Sequence, residues 1–383
     1  MNYFNPVKLI FGRQVRKKIS EECVGKSVLI ICSSTAYNRY TNDPELRDLF
    51  SFAGVVFEHG FESNPSLTDI IEISNRYRGS SLDLIIGLGG GSAMDVAKIV
   101  SVSIPAIKKA IHIDDLLKDS ALFSRFKEID CIQVPTTAGT GSEVTPFATV
   151  WDYTSQQKKS LSHPVMYAKK AYIDPDFLSQ VPLEVAISTG LDALNQAFES
   201  IWNVNANEFT RPLSRRAAIL ALRGLPVIKE VPNDPELREQ LALASLFAGL
   251  AISQTRTSIC HSISYPLTLR YGIEHGMACS FSILEVFKYN LAFVKDDLEL
   301  IERELKLDPY TVLENIIKQH GVNAYLAKSL PNKSIFSESI EDFITAGRFG
   351  NNIKTCNRED LTMIVTASYD RVSNIVKNPL DHP

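Results

Sequence analysis

The sequence has little of what marks a secreted, membrane or nucleic-acid-binding protein. Its 383 residues include six cysteines, Cys23, Cys32, Cys131, Cys260, Cys279 and Cys356, with no CxxC pair. Thiols so dispersed in a long chain read as reduced and structural, which points to a cytoplasmic protein. No apolar run approaches the ~20 residues that a membrane helix needs. The segment Met1 to Lys8 has no basic stretch leading into a long apolar core, so no signal peptide is expected. No charge of one sign dominates either: 40 Lys and Arg against 44 Asp and Glu leave a net −4. Without a basic footprint, nucleic acid is not an expected partner. Internal repeats and low-complexity segments are missing as well.

What remains is a chain with two textures. In the first part, short apolar runs alternate with helical or turn-rich segments. Val28 to Cys32, Gly54 to Glu58, Leu82 to Leu88 and Cys131 to Val134 read as strands. The continuous apolar character of the first run suits a parallel sheet covered on both faces. Past Asp174-Pro175 the β-runs stop. Leu183 to Ile201, Leu213 to Leu222, Glu236 to Ser264 and Asp360 to Val376 carry helical periodicity. The expectation is an α/β dinucleotide-binding domain over 1–174, doubly wound on a mostly parallel sheet, and an all-helical metal- and substrate-binding domain over 175–383.

Gly87-Leu88-Gly89-Gly90-Gly91-Ser92 ends the third run and opens a helix. Adjacent glycines let the backbone turn sharply and approach a ligand, and the helix N-terminus favours an anion. A plain tight turn is the alternative. The run is one residue short of GxGxxG, and the acid expected ~20 residues later is missing, so a standard Rossmann fingerprint is not met. A second loop, Pro135-Thr136-Thr137-Ala138-Gly139-Thr140-Gly141-Ser142-Glu143, alternates hydroxyls with glycines after the fourth run. Two such loops at the carboxyl ends of parallel strands favour a dinucleotide over a mere turn.

In the helical half, Asp192 and Gln196 are i,i+4 and share a face. Ser253, Thr257, His261 and Tyr265 are spaced by four and form a polar stripe on what reads as one long helix. His275 follows fourteen residues after His261. One carboxylate and two imidazoles suit Fe²⁺ or Zn²⁺. The spacing alone also suits core histidines that are simply hydrogen-bonded.

Taken in order, Gly89-Gly90-Gly91-Ser92-x-x-Asp95-x-x-Lys98, the Pro135 to Glu143 loop, Gly190-Leu191-Asp192-Ala193-Leu194 and His261-x13-His275-Gly276 resemble the iron-containing (group III) alcohol dehydrogenases. The likeness runs from Leu9 to about residue 290. It implies a dinucleotide-binding domain, a helical metal-binding domain, an active site in the cleft, and a homodimer or higher homo-oligomer. It implies Asp192, His261 and His275 as metal ligands. The family's fourth ligand, a His, is Gln196 here, and a further family His is Tyr265. The cofactor is expected to touch Ser33, Gly89, Gly90, Gly91, Ser92, Asp95, Thr136, Thr137, Thr140, Ser142 and Lys159. Many NAD-preferring members carry an Asp where Ser33 stands. With Arg39 nearby, NADPH is expected to be tolerated or preferred over NADH.

Two segments, Ser142 to Trp151 and Ala251 to Thr257, resemble one subgroup, the phosphonoacetaldehyde reductases of phosphonate biosynthesis. Arg256 among Thr255, Thr257 and Ser258 is the kind of grouping that binds a tetrahedral oxyanion, since guanidinium does so bidentately. A surface ion pair is the alternative role for it. The resulting expectation is metal-assisted, NAD(P)H-dependent reduction of a small anionic aldehyde to a primary alcohol, phosphonoacetaldehyde to 2-hydroxyethylphosphonate. Arg256, Thr257 and Tyr265 are the expected substrate and proton-relay residues. The rivals are a general short-chain alcohol or diol dehydrogenase, a lyase resembling dehydroquinate synthase and, because Gln196 stands where the family has a His, a non-catalytic binding protein without a metal.

Overall fold

A computed structural model describes residues 2–42, 47, 51, 54–61, 64–155, 157–330, 333, 336 and 340–377. The four apolar runs of the first half become neighbouring strands of a six-stranded sheet. Its strands are β1 (Lys8–Phe11), β2 (Val28–Ile31), β3 (Val55–Glu58), β4 (Leu84–Gly89), β5 (Asp130–Pro135) and β8 (Lys170–Ile173). They lie in the order β1-β8-β5-β4-β2-β3, the four runs being β5, β4, β2 and β3, and every pairing is parallel. β2 and β4 are buried along their whole length. That burial explains why they read as unbroken apolar runs; β1, partly exposed, and β8, four residues long and opened by Lys170, did not stand out. β6 (Phe147–Asp152) and β7 (Gln157–Ser162) form a separate antiparallel pair, also not foreseen.

The order reverses between β2 and β4. From β2 the chain steps outward to β3, then returns to build β4 on the other side. Parallel register aligns Ile31 with Gly87, so Ser33 and Gly89 leave the sheet at the same level. The crevice outside the carboxyl ends at such a reversal is where open α/β sheets bind ligands.

The second half is helical, as expected. Its main helices, numbered after α1 (Ser34–Asn42) and α2 (Gly91–Ile107) of the first half, are α3 (Leu183–Ile201), α4 (Thr210–Gly224), α5 (Pro235–Thr255), α6 (Ile259–Tyr271), α7 (His275–Ser280) and α8 (Arg358–Lys377). Phe198 stacks on Trp202 at 5.4 Å between ring centroids, and Phe287 meets both edge-on. This aromatic cluster fixes the end of α3.

One reading is overturned. The stretch from Glu236 to Ser264 is not a single helix. α5 ends at Thr255 and α6 begins at Ile259. Arg256 turns the chain at φ 64° and ψ −178°, a region that is essentially glycine's. Thr257 therefore stands outside α6 and is not part of a helical stripe with His261. Asn203 donates to the Arg256 carbonyl at 3.2 Å and Asn351 to the Thr257 carbonyl at 2.9 Å, so the break is pinned on both sides. Periodicity missed it because both helices are buried on most sides and carry hardly any amphipathic contrast to mark a boundary.

The chain resolves into two compact units. One runs from Asn5 to Thr137 and Gly141 to Val181; the other takes the residues up to Phe4, Ala138–Thr140 and Pro182 onward. The division after Val181 lies past the expected cut after Asp174. The reason is local: the Asp174 carboxylate, fully buried, caps the helix Pro175–Leu178 and accepts from the Arg16 backbone N–H at 3.1 Å. That ties the segment to the sheet. Among the described residues no helix is long and apolar enough to cross a membrane.

Candidate active site

In the α/β unit, β4 delivers the glycine loop directly into α2, whose N-cap is Gly90. Gly89 has φ +158°, and a Cβ there would sit 2.8 Å from the Ala93 Cβ. A side chain would push the turn outward, away from the free N–H groups of α2, whose dipole favours an anion. Thr137 lies against this loop: a Cβ on Gly90 would be 3.3 Å from its Oγ1. The Thr136 N–H donates to the Gly89 carbonyl at 2.9 Å, joining the two loops. Ser92 Oγ accepts from the Asn64 N–H at 3.2 Å. Ser33 Oγ accepts from the Ala36 N–H at 3.2 Å and so caps α1, the helix that carries Arg39.

Asp95 and Ser142 are turned to structural use. Ser142 Oγ donates to Asp95 at 2.5 Å, and the Thr149 N–H donates to the other carboxylate oxygen at 2.7 Å. Lys98, fully buried, reaches Asp95 at 3.3 Å and donates to the carbonyls of Ser142 at 3.0 Å and Phe147 at 2.5 Å. Burial pulls its ammonium below the usual lysine range, and Asp95 opposes that pull. Lys98, given no role from sequence, is the post on which the second loop is hung. Glu143 beside it is pushed up to about 7 by burial. Lys159 lies on β7 and pairs with Asp152 across the hairpin at 2.7 Å. Thr140 falls in the other unit, in the Ala138–Thr140 segment, where Gly139 is so close to Thr189 that a Cβ would be 2.6 Å from its Cβ.

In the helical unit, α3, α6 and α7 converge on one cluster. Donor atoms of Asp192, His261, His275 and Cys279 all lie within 4.8 Å of one another. Three of these were expected; Cys279 was not. It sits four residues after His275 on α7, hence on the same face, and that spacing was a usable signal. Its Sγ is 3.8 Å from His275 Nε2. Close docking of α7 on α3 makes the cluster possible: a Cβ on Gly276 would fall 1.8 Å from the Ser188 carbonyl oxygen.

Glu199 was also missed, although it continues the face of α3 that carries Asp192 and Gln196. Fully buried, it accepts from His261 Nδ1, from the Ser258 and His261 N–H groups at 3.2 Å, and from Ser258 Oγ at 3.2 Å. The helix break thus presents the N-terminus of α6 to a buried carboxylate. With Nδ1 donating to Glu199, His261 aims Nε2 at Asp192, 3.2 Å away. This is the orientation that a carboxylate gives a metal-binding histidine.

The electrostatics ask for a cation. Burial opposes a charge on His261, yet Cys279, Glu199 and Asp192 raise its pKa well above the ordinary value. Burial opposes the Cys279 thiolate, yet His261 and His275 bring it down to about 7. Burial likewise opposes ionised Asp192, and the histidines hold it below the usual carboxylate range. Gln196 is buried, and its Oε1 has no hydrogen-bond partner among the described residues. A buried carbonyl oxygen left bare costs ~1–3 kcal/mol. A divalent cation would satisfy it together with the carboxylate, imidazole and thiol donors, so the residues fit a metal. Tyr265 flanks the cluster, its ring stacked on His275 at 6.0 Å and edge-on to His261 at 6.5 Å.

A parallel sheet with a glycine loop at a helix N-terminus, and a helical unit with a cluster of carboxylate, imidazole and thiol donors, fit the class of metal- and nucleotide-dependent enzymes. The comparisons with known proteins are more particular. The family model of the iron-containing alcohol dehydrogenases matches residues 6–175, and that of the family's C-terminal domain matches residues 186–369. The chain belongs to the iron-containing alcohol dehydrogenase family. It is 29% identical to a phosphonoacetaldehyde reductase of Streptomyces viridochromogenes, over 76% of this chain and 78% of that one. It is 29% identical to a 4-hydroxybutyrate dehydrogenase of Clostridium kluyveri, over 88% and 91%. Among solved structures it resembles an iron-containing alcohol dehydrogenase of Thermotoga maritima, with 27% identity, a TM-score of 0.83, and 96% and 99% of the two chains covered.

Proposed function

We propose that the protein reduces a small anionic aldehyde to a primary alcohol with NAD(P)H, and that phosphonoacetaldehyde, giving 2-hydroxyethylphosphonate, is its substrate. The observation that carries the reaction type is the Asp192–His261–His275 cluster, in which Asp192 and His261 are buried, His275 is half-buried, and Glu199 orients His261. The anionic substrate class is supported by the phosphonoacetaldehyde and hydroxybutyrate relatives and by Arg256 at the helix break. A bound Fe²⁺ or Zn²⁺ supplies Lewis acidity to the aldehyde oxygen, and NAD(P)H supplies the hydride. Asp192, His261 and His275 hold the cation, with Gln196 as a weak further donor. Gly89 to Ser92 take the cofactor pyrophosphate on the α2 N-terminus, with Thr136, Thr137, Thr140 and Lys159 along its length. Asp95 and Ser142 serve the cofactor by fixing the second loop. Ser33 offers no carboxylate to repel a 2′-phosphate, so NADPH is accepted. Water supplies the proton that the product oxygen takes up, relayed by Tyr265, beside both histidines, or by Thr257, and Arg256 takes the phosphonate. The enzyme works in the cytoplasm as a homodimer or larger homo-oligomer.

The test is turnover of NADPH and of NADH with phosphonoacetaldehyde, butanal and lactaldehyde, after loading with Fe²⁺ or Zn²⁺. Phosphonoacetaldehyde should give the highest kcat/KM. Arg256→Ala should lower that value about 10- to 150-fold, the worth of a charge-assisted contact of ~1.5–3 kcal/mol, and leave butanal unaffected. A wide preference for uncharged aldehydes would replace the phosphonate reading with that of a general alcohol dehydrogenase.

A further inference from the structure

We infer that the Cys279 thiolate is itself a ligand of the cation, so that the site is an Asp–His–His–Cys set and not one of oxygen and nitrogen donors alone. The inference deepens the metal-dependent reading above and rests on it.

Three observations carry it. Cys279 Sγ belongs to the same group of donors, all within 4.8 Å, as the three other ligands. Donors around one tetrahedral ion, with bonds of ~2.0–2.3 Å, lie about 3.3–3.8 Å apart. Closing the group therefore takes shifts on the order of an ångström, well within the reach of side chains. Second, the donor it would supplement is defective: Gln196 Oε1 is buried and without a partner among the described residues, where an imidazole would have been the stronger ligand. A thiolate makes good that loss. Third, the other buried cysteine nearby, Cys260, is one residue from His261 on α6 and is outside the group, so membership is not a general property of buried thiols here. On binding, the Cys279 S–H bond breaks, its proton goes to solvent and the sulfur lone pair forms the bond to the cation. No electron transfer is involved. A thiolate donor shifts preference from Fe²⁺ towards softer Zn²⁺, Co²⁺ or Cd²⁺.

The experiment uses the full chain, stripped with a chelator and reloaded with Co²⁺ or Cd²⁺, read by near-ultraviolet absorption. The unaltered protein should show a thiolate-to-metal charge-transfer band at one equivalent. Cys356→Ser should keep the band and Cys279→Ser should lose it. The double variant Gln196→His with Cys279→Ser restores a sulfur-free set of four, and should bind the cation without the band and retain Fe²⁺ better against Zn²⁺. Stoichiometric binding to the unaltered protein with no band would overturn the inference whatever the variants do, and so would a band that survives Cys279→Ser. Failure of the reductase reading is separate: a band without aldehyde turnover keeps the ligand assignment, while turnover from a band-free site discards the ligand assignment alone.

Discussion

His261 stands between two carboxylates, and which of its nitrogens faces which decides whether the cluster can take a cation. Glu199 settles it by accepting from Nδ1 while the α6 N–H groups steady its charge. Glu199→Gln keeps the shape but weakens the acceptor. The variant should bind Zn²⁺ about 10–100-fold more weakly, measured by competition with a chromophoric chelator. An unchanged affinity would mean that Glu199 only packs. Glu143 makes a different residue-scale prediction. Its folded pKa of about 7 lies above the ordinary 4.5 because burial disfavours its charge. The folded state keeps the proton that an unfolded chain gives up, so stability falls as pH rises from about 4.5 to about 7. Glu143→Gln should remove that slope and stabilise the α/β unit at pH 8 by on the order of 3 kcal/mol. Denaturation curves at pH 5 and pH 8 with parallel losses in both proteins would refute this.

At the scale of elements, the break between α5 and α6 matters most. It ends one helix at Thr255, sets Arg256 in a glycine-like conformation and starts another just before His261. A non-glycine residue there stores about 1–3 kcal/mol, and such strain is characteristic of functional positions. Arg256→Gly should therefore raise stability by about that amount, seen as a higher denaturation midpoint, while lowering kcat/KM for the anionic aldehyde. Arg256→Ala should lose activity without gaining stability. If glycine gives no stabilisation, the strain is not there. The segment around Asn351 acts in the same place. Its side chain holds the Thr257 carbonyl, and its backbone carbonyl accepts from the Val204 N–H at 2.8 Å. Through Asn351 the glycine-bearing stretch from Phe343 to Asn352 clamps the break.

For the whole molecule, the four clustered donors proposed to hold the cation lie in the helical unit and the glycine loop in the α/β unit. Saturation with Zn²⁺ at 100 times its dissociation constant should stabilise the helical unit by about 2.7 kcal/mol. Chelation should reverse this and leave the melting of the α/β unit in place. Differential scanning calorimetry with and without a chelator would separate the two; equal shifts of both units would contradict the assignment.

The order of the motifs was enough to read the α/β-then-helical architecture, the glycine loop and three of the four clustered donors. Those signals are local: a buried strand is a continuous apolar run, and a strand–glycine–helix junction is contiguous in sequence. Cys279 and Glu199 were written in the same helical faces, but i,i+4 and i,i+7 spacing is common and only convergence gives it meaning. The edge strand β1 and the break at Arg256 escaped for a related reason. Edge burial and a left-handed turn are imposed by partners 150 or more residues away, such as β8, or by Asn203 and Asn351 from distant segments. By itself the sequence determined the elements, their order and the kinds of side chain available for chemistry. Only the tertiary structure decided which of those side chains share one buried, cation-seeking space, because that depends on how closely α3, α6 and α7 approach, down to a glycine with no room for a methyl group.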